Sequence, residues 1–558
     1  MEVGARTPEP SAQESEAAKI TAETDTPNAA AAVTSVPKQR FAPAFEGVPL
    51  IHVNQLGYKP GGVKVIRYVG DEPGFLVLDE SGAVCYEGTW SEAKRNAATR
   101  QGVRTADISA FTTPGIYKIV SGGAESYPFY IAEDVFADAA NAVLRMFWYA
   151  RCGEALPEDE AGIWAHPACH TALAAVYGTE ETVDVSGGWH DAGDYNRYVS
   201  AAATAVADLL LAHELFGVPG VLAEARVELE WMLKMQSAGG GLYHKVTAQY
   251  FGKLDERPDM DEAALYVTQL SPVATAGAAA CFALAARLYK GADAGFAARC
   301  LDAALAAYAW LAANPDYPLV TENPEGIHTG EYADWSIADE MFWAAAELYK
   351  TTGEARFHEA LKAMPVQGGF GWWEVGCFGV VSYVTLADNM RDAGLYDACT
   401  QRLHADAESV YKATAADRYG LSLGTNYYWG SNMTVANNAN LLLLSHRLKP
   451  NEAYERAALA HLDYLLGCNA LSQCYISGFG TVSVEKPHHR PSAYAGAAVP
   501  GMVAGGPNME LQDADAQRLL AGMAPALCYV DTEGSYSTNE VTIYWNAPVL
   551  LLLAYFNR

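Results

Sequence analysis

Ser186-Gly187-Gly188-Trp189-His190-Asp191-Ala192-Gly193-Asp194-Tyr195-Asn196-Arg197 is followed at once by a long, Ala-rich apolar pattern of helical period, from about Tyr198 to Phe216. The twelve residues hold two carboxylates, three glycines, a Trp and a His. Glycine tolerates left-handed backbone angles, so the stretch reads as a tight, shaped loop at the mouth of a helix. Asp191 and Asp194 stand just before the helix start, where an aspartate ordinarily caps the first turn. A second cluster, at the far end of the chain, argues for more than capping. It is Tyr529-Val530-Asp531 with Ser535-Tyr536-Ser537-Thr538-Asn539-Glu540, and it too runs into an apolar helix.

Outward from that loop the chain is helical. After about Glu133, helical periods with small residues recur near 136–151, 197–217, 221–236, 271–290, 295–313, 336–351, 354–362, 376–393, 396–412, 433–448, 452–466 and 542–557. Several pairs share a pattern in which a helix ends in Leu288-Tyr289-Lys290 or Leu348-Tyr349-Lys350, a Gly-containing turn follows, and another helix begins. Such a repeat points to stacked helical hairpins. Six hairpins can close into a double ring, an α/α toroid, or stay open as a solenoid. The irregular stretches at 152–196, 237–270, 314–335 and 467–541 are longer than connectors need, and loops of that length usually carry function.

Ahead of the helices, residues 1–44 are rich in Ala, Glu, Thr, Pro and Ser, and read as a disordered tail or linker. Residues 45–133 change texture. Val63–Val69, Gly74–Leu78 and Gly115–Val120 are short β-branched and aromatic runs between turn residues, which predicts a small β-sandwich. The mainly α region of 134–558 follows directly.

The 558 residues carry a formal net charge of −29, which disfavours nucleic acid and acidic membranes as partners. No uninterrupted run of 18 apolar residues occurs, which predicts no membrane-spanning helix and no membrane partner. The first thirty residues show no apolar signal core. The chain is therefore cytoplasmic or a signal has been removed, and the second, extracellular reading is preferred. The ten Cys do not make a dense disulfide framework in a chain this long. The 32 Tyr and 12 Trp suit a carbohydrate partner, because flat sugar faces stack on aromatic rings, although aromatics also fill cores. A monomer is expected.

Three constellations carry chemistry. The first is Asp191 and Asp194 with Glu540. Breaking a glycosidic bond needs a proton donor for the leaving oxygen and a base for the attacking water, and carboxyl groups serve as both. The two aspartates can share one water. Glu540 sits in an aromatic, mostly uncharged segment that would keep it protonated, unless it is only a helix N-terminal acid. Lys486-Pro487-His488-His489-Arg490-Pro491-Ser492 is the second, read as an extended segment that turns His488 and Arg490 one way and His489 the other. The third is Cys152, Cys169-His170 and His190, a Cys2His2 ligand set for a structural zinc, although not at zinc-finger spacing.

The stretches Gly187–Asp194, His488-His489-Arg490, and Asp531 with Tyr536–Glu540 resemble, in order, the signature regions of glycoside hydrolase family 9. Tyr428-Trp429-Gly430-Ser431-Asn432 and Tyr464-Leu465-Leu466-Gly467 with Asn469 match further, and Val53–Tyr58 resembles the opening of the immunoglobulin-like module that precedes many of these catalytic domains. The resemblance implies an (α/α)6 barrel that cleaves β-1,4-glucosidic bonds in cellulose-like glucans or cello-oligosaccharides with inversion, without an organic cofactor. It implies Asp194 as base, Asp191 as holder of the water and Glu540 as acid. His488, Arg490, Trp189 and Tyr536 would line the sugar sites, with Asp531 in support. It also implies a structural zinc on the Cys2His2 set, and calcium on Asp334, Ser336, Asp339 and Glu340, whose clustered hard oxygens also suit a capped helix start. Asp388 is the guess for a further ligand, and Gly505–Asn508 with Asp513 is a second calcium candidate. The alternatives are an exo-β-glucosaminidase on chitosan oligosaccharides and a non-catalytic glucan-binding protein.

Overall fold

The computed structural model describes residues 47–558, so the expected tail at 1–44 lies outside the described residues. Twelve of the described helices have nine residues or more. They are α1 (Ala137–Tyr149), α2 (Val199–Phe216), α3 (Val221–Lys234), α4 (Pro272–Leu288), α5 (Ala294–Ala313), α6 (Ala338–Thr352), α7 (Ala355–Ala363), α8 (Gly376–Val384), α9 (Ala393–Ala416), α10 (Ser431–Leu448), α11 (Glu452–Leu465) and α12 (Ile543–Phe556). Each falls on one of the twelve predicted periods.

The even-numbered helices form an inner ring. α2 packs on α4, α4 on α6, α6 on α8, α10 on α12, and α12 returns to α2, while α9 lies against both α8 and α10. The contact of the last helix with the first inner one closes the ring, so the toroid and not the solenoid is the fold. Inner helices touch neighbours on several sides, hence the Ala-rich, all-round apolar sequences of α2 and α4. Gly379 of α8 lies so close to α6 that a Cβ would stand 2.9 Å from the Trp343 Cα. The outer helices keep one buried stripe. In α1 it is Ala139, Ala140, Ala142, Val143, Met146, Phe147 and Trp148.

The membrane expectation needs a correction. Val199–Phe216, Pro272–Gly291 and Ala294–Ala313 are long and apolar enough to cross a bilayer. A search for unbroken apolar runs misses them because isolated polar residues, such as Asp208, interrupt sequences whose mean hydropathy is high. In the fold they are barrel helices, and the first two are mostly buried among their neighbours.

Residues 51–131 form the β-sandwich. One sheet runs Ile51–His52, Val65–Tyr68, Gly102–Asp107, Lys94–Arg95, and the other Gly57–Tyr58, Phe129–Ile131, Gly115–Ser121, Gly74–Asp79, Val84–Thr89. Phe75, Trp90, Phe111, Tyr117 and Phe129 lie in the core between them. The sandwich docks on the barrel through buried polar side chains. Asn54 Nδ2 donates to Asp463 at 2.8 Å. Gln55 has no exposed surface. Its Nε2 donates to the Ser472 carbonyl at 2.6 Å, and its Oε1 accepts from the Thr481 and Val482 amides at 2.8 and 3.0 Å. Arg67 donates to the Tyr419 carbonyl at 3.1 Å. Leu56 sits in the barrel's own core cluster.

An interface of this kind makes the sandwich part of the barrel's stability. Gln55→Ala would take the side-chain donor from the buried Ser472 carbonyl and the shared acceptor from the Thr481 and Val482 amides, at about 1–3 kcal/mol for a buried group left unpaired. Thermal unfolding should show a clear drop in melting temperature, with KM for oligosaccharides unchanged. A variant that melts like the parent would show the docking to be incidental.

Candidate active site

Neither Asp191 nor Asp194 caps α2, and Glu540 does not cap α12. The N-cap of α2 is Tyr198, without a side-chain cap. Asp191 and Asp194 precede it, in a loop whose exit, Arg197–Tyr198, is zipped as a strand onto Lys245–Thr247. At the other end the cap of α12 is Thr542, whose hydroxyl accepts from Trp545 N at 3.1 Å. Glu540 lies before it, after a short helix at Tyr536–Asn539. Capping and helix-dipole roles therefore do not explain these three acids.

Ring closure brings the ends together. His488 and Glu540 form a parallel bridge, and His488 N donates to the Asn539 carbonyl at 2.9 Å. The Gly193 carbonyl accepts from Arg490 twice, from its amide at 3.1 Å and from its guanidinium at 2.6 Å. The same guanidinium reaches the Gly252 carbonyl at 2.8 Å. The approach is so close that a Cβ on Gly193 would stand 2.1 Å from the His488 oxygen, so only glycine fits. Three of the four long loops thus meet at one point.

Three carboxyl groups are concentrated there, and their surroundings separate them. Burial pushes the Asp194 carboxyl up, while the Arg490 cation and donors from Asn196 pull it back. Asp191 is pushed well above the usual range by burial and by the Asp194 charge, against one hydrogen bond from the Tyr332 phenol. Glu540 is pushed well above its usual range by burial and then by Asp194 and Asp191. Asp194 is thus the carboxylate best able to keep its charge, and Glu540 is suited to hold a proton. The second oxygen of Asp191, Oδ1, is buried and has no protein partner.

The remaining predicted residues divide. The His488 ring lies 5.8 Å from that of Tyr536, which in turn is 5.3 Å from the exposed Trp429, an aromatic group beside Glu540. Arg490 is present but begins a helix at Arg490–Ala495 capped by His489, which replaces the expected extended segment. Asp531 is a staple within the protein. It accepts from Glu485 N at 2.7 Å, Lys486 N at 2.9 Å and Asn539 Nδ2 at 2.8 Å, which ties the His488 loop to the Glu540 segment. Trp189 cannot stack on a sugar because none of its surface is exposed. Its amide and indole donate to Glu228 and Glu224 of α3 at 2.5 and 2.9 Å, so it anchors the loop from behind.

Sequence reasoning missed Tyr332, whose phenol donates to Asp191 and lies 3.2 Å from the Tyr544 hydroxyl. It also missed Asn196, which donates to Asp194 and is itself fixed by Thr247 and the Ala248 amide at 3.0 Å. The only signal for Tyr332 was its place in the long loop at 314–335.

Cys152, Cys169, His170 and His190 offer four donor atoms, all within 4.8 Å of one another. His190 Nε2 lies 3.3 Å from His170 Nδ1 and 3.9 Å from Cys169 Sγ. Tetrahedral zinc with bonds of about 2.0–2.3 Å needs donor separations of about 3.3–3.8 Å, so the residues fit. The other nitrogen of His170 faces Asp261 at 3.5 Å, the carboxylate that orients a metal-binding imidazole. At the proposed calcium site Asp334, Asp339 and Glu340 are buried, and Asp334 Oδ2 and both Glu340 oxygens lack partners. Burial and the other two acids push Glu340 well up. Ser336 is exposed and its hydroxyl accepts from Ala338 N at 3.2 Å. Asp388 is exposed and pairs with Arg391 at 2.7 Å, which removes it as a further ligand. Asp513 is already engaged by Ser535, Ser537 and the Ala516 amide, which removes the second candidate.

Comparison with known proteins agrees with this geometry. The family model for Glycosyl hydrolase family 9 matches residues 136–553, and that for the cellulase N-terminal ig-like domain matches residues 47–126. A cellodextrinase of Butyrivibrio fibrisolvens is 35% identical over 545 residues, covering 90% of this chain and 98% of its own. A crystal structure of a mutant thermostable endoglucanase from Alicyclobacillus acidocaldarius superposes with a TM-score of 0.87 at 38% identity, over 91% of this chain and 99% of that one. A Zn-binding triple mutant of a family 9 endoglucanase superposes with a TM-score of 0.85 at 32% identity, over 90% and 99% of the two chains. A closed six-hairpin barrel, an immunoglobulin-like sandwich docked on it, and three carboxyl groups at the junction of its loops therefore place the chain in glycosyl hydrolase family 9, as a glycoside hydrolase.

Proposed function

We propose that the protein hydrolyses β-1,4-glucosidic bonds of cello-oligosaccharides and soluble glucan chains with inversion of the anomeric carbon. The observation that carries this is the split among the three carboxyl groups. Asp194, beside Arg490 and Asn196, is the base, and Glu540, buried beside two acids, is the acid. Asp191 uses its free oxygen to hold the water while Tyr332 fixes the other. As the water oxygen bonds to C1, its proton passes to Asp194. The bond from C1 to the leaving oxygen breaks, and Glu540 protonates that oxygen. Trp429 and Tyr536 supply an aromatic face for the sugar chain. The extracellular reading goes with the polymeric end of this substrate range, since a glucan chain too long to be imported has to be cut outside the cell.

Asp194→Asn should abolish turnover of cello-oligosaccharides. Glu540→Gln should spare substrates with an acidic leaving group, such as a nitrophenol. NMR of the first products from cello-oligosaccharides, run beside chitosan oligomers, should show the α-anomer from the cello series. A β-anomer would end the inverting assignment.

The same pair sets the pH response. Asp194 must be ionised and Glu540 protonated, so kcat/KM rises as Asp194 loses its proton and falls as Glu540 loses its own. Both groups are pushed upward by burial, so both limbs should lie above the ordinary carboxylate range, as apparent values of the coupled group. In Glu540→Gln, assayed with an activated leaving group, the alkaline limb should disappear. Its persistence would assign the acid elsewhere.

We also propose that Cys152, Cys169, His170 and His190 hold a structural zinc, and that Asp334, Asp339 and Glu340 hold calcium. Four protein donors leave a zinc no open position for a reacting water. The zinc would fix the residue next to Asp191. Metal analysis should return about one zinc per chain, and Cys169→Ser should lower zinc content, melting temperature and kcat together. Calcium should raise the melting temperature through preferential binding to the native state. Glu340→Gln should remove that rise, and an unchanged calcium response would place the ion elsewhere.

A further inference from the structure

Lys245 is the buried cation that the chemistry above does not use. It has no exposed surface. No carboxylate among the described residues pairs with it. Its ammonium donates to three neutral oxygens, Asn323 Oδ1 at 2.5 Å, the Gly330 carbonyl at 2.6 Å and Thr329 Oγ1 at 3.2 Å. The neighbouring His244 donates from Nε2 to the Glu331 carbonyl at 2.8 Å. The first residue of the Lys245–Thr247 strand and the residue just before it thus grip two successive carbonyls, and the next residue is Tyr332. That residue has φ of +46°, a left-handed conformation disfavoured for a tyrosine, which persists only where the surroundings enforce it. Its phenol donates to Asp191. Burying an ammonium whose direct acceptors are neutral is costly, and burial pulls Lys245 down to about 8 against the opposing charges of Asp194 and Glu331. A strand that served only as a connector would not need that cation.

We propose that Lys245, aided by His244, is a positioning residue for the attacking water. The pair locks the Gly330–Glu331 backbone so that Tyr332 stays turned onto Asp191. The same strand fixes the partner acid, because Thr247 donates to Asn196, which donates to Asp194. Thr247 also meets Thr329 hydroxyl to hydroxyl at 2.6 Å, so both aspartates are referenced to one strand. The inference rests on the reading that Asp191 and Asp194 handle the water.

A double-mutant cycle in the full-length protein tests it, with Lys245→Met, Tyr332→Phe and their combination assayed on cello-oligosaccharides. Misplacement of a reacting group by about 1 Å costs on the order of 100-fold in rate, so each single change should lower kcat by about 10–100-fold. KM should stay within about threefold. Because both changes disable the same contact, the double variant should fall no more than about twofold below the weaker single. Lys245→Arg, which keeps donors in place, should recover part of kcat. Multiplicative losses in the double variant, or a fall in melting temperature with kcat unchanged, would overturn the proposal. If Lys245→Met does not fold, Asn323→Ala removes one acceptor of the ammonium, and its cycle with Tyr332→Phe is judged by the same criterion. Additive losses alongside an inactive Asp194→Asn and an α-anomeric product would defeat only the positioning role. A β-anomeric product would defeat the underlying reading.

Discussion

The contact between Arg490 and the Gly193 carbonyl is the constraint on which the site depends. Two segments 297 residues apart in sequence are joined there by a buried guanidinium that also holds Gly252. Three carboxyl groups crowded out of water repel one another and lose hydration, which is tolerable only with a compensating cation and directed donors. Arg490 supplies the charge and the link with the same atoms. Its position in turn requires glycine at 193, and requires that α12 close the ring against α2. A barrel left open would place Glu540 and Asp194 at opposite ends of a solenoid.

The loop that carries Asp191 and Asp194 is held from three further directions. Behind it, Glu224 and Glu228 of α3 grip Trp189 at both of its N–H groups. Beside it, His190 joins the Cys2His2 cluster, and its amide donates to the Ala150 carbonyl at 2.7 Å at the end of α1. Ahead of it, Arg197–Tyr198 is zipped onto the strand that carries Lys245 and Thr247. Loops lack the repeating hydrogen bonds of helices, so a precise site built on loops needs such anchors in its supporting shell.

The sandwich reaches the same site indirectly. His52, Asn54 and Gln55 engage Ser472, Asp463 and the backbone from 466 to 482. That segment leads directly into Lys486–Arg490, which Asp531 staples to Glu540. The β-module thereby braces the segment that leads to His488 and Arg490.

All twelve long helices were legible in the sequence, because both a one-sided buried stripe and an all-round apolar helix repeat at the helical period, between Gly-containing turns. Asp191, Asp194 and Glu540 stood out as candidates too, since carboxylates beside glycines and aromatics contrast with a helical background. Closure of the ring was not, because hairpin repeats fit an open stack equally well until α12 meets α2. Nor was the division of labour around the acids. Trp189 and Tyr536 are both aromatic neighbours of a catalytic carboxyl in sequence, yet one is sealed against α3 and the other lies by the exposed Trp429. Tyr332 and Lys245 carry no local signature, since their partners are supplied by loops far away in the chain. The sequence by itself determined which long segments are helical and which residue types could do acid–base work. Tertiary structure alone decided which of them meet, because burial and charge compensation at a site depend on neighbours brought there by the closed ring.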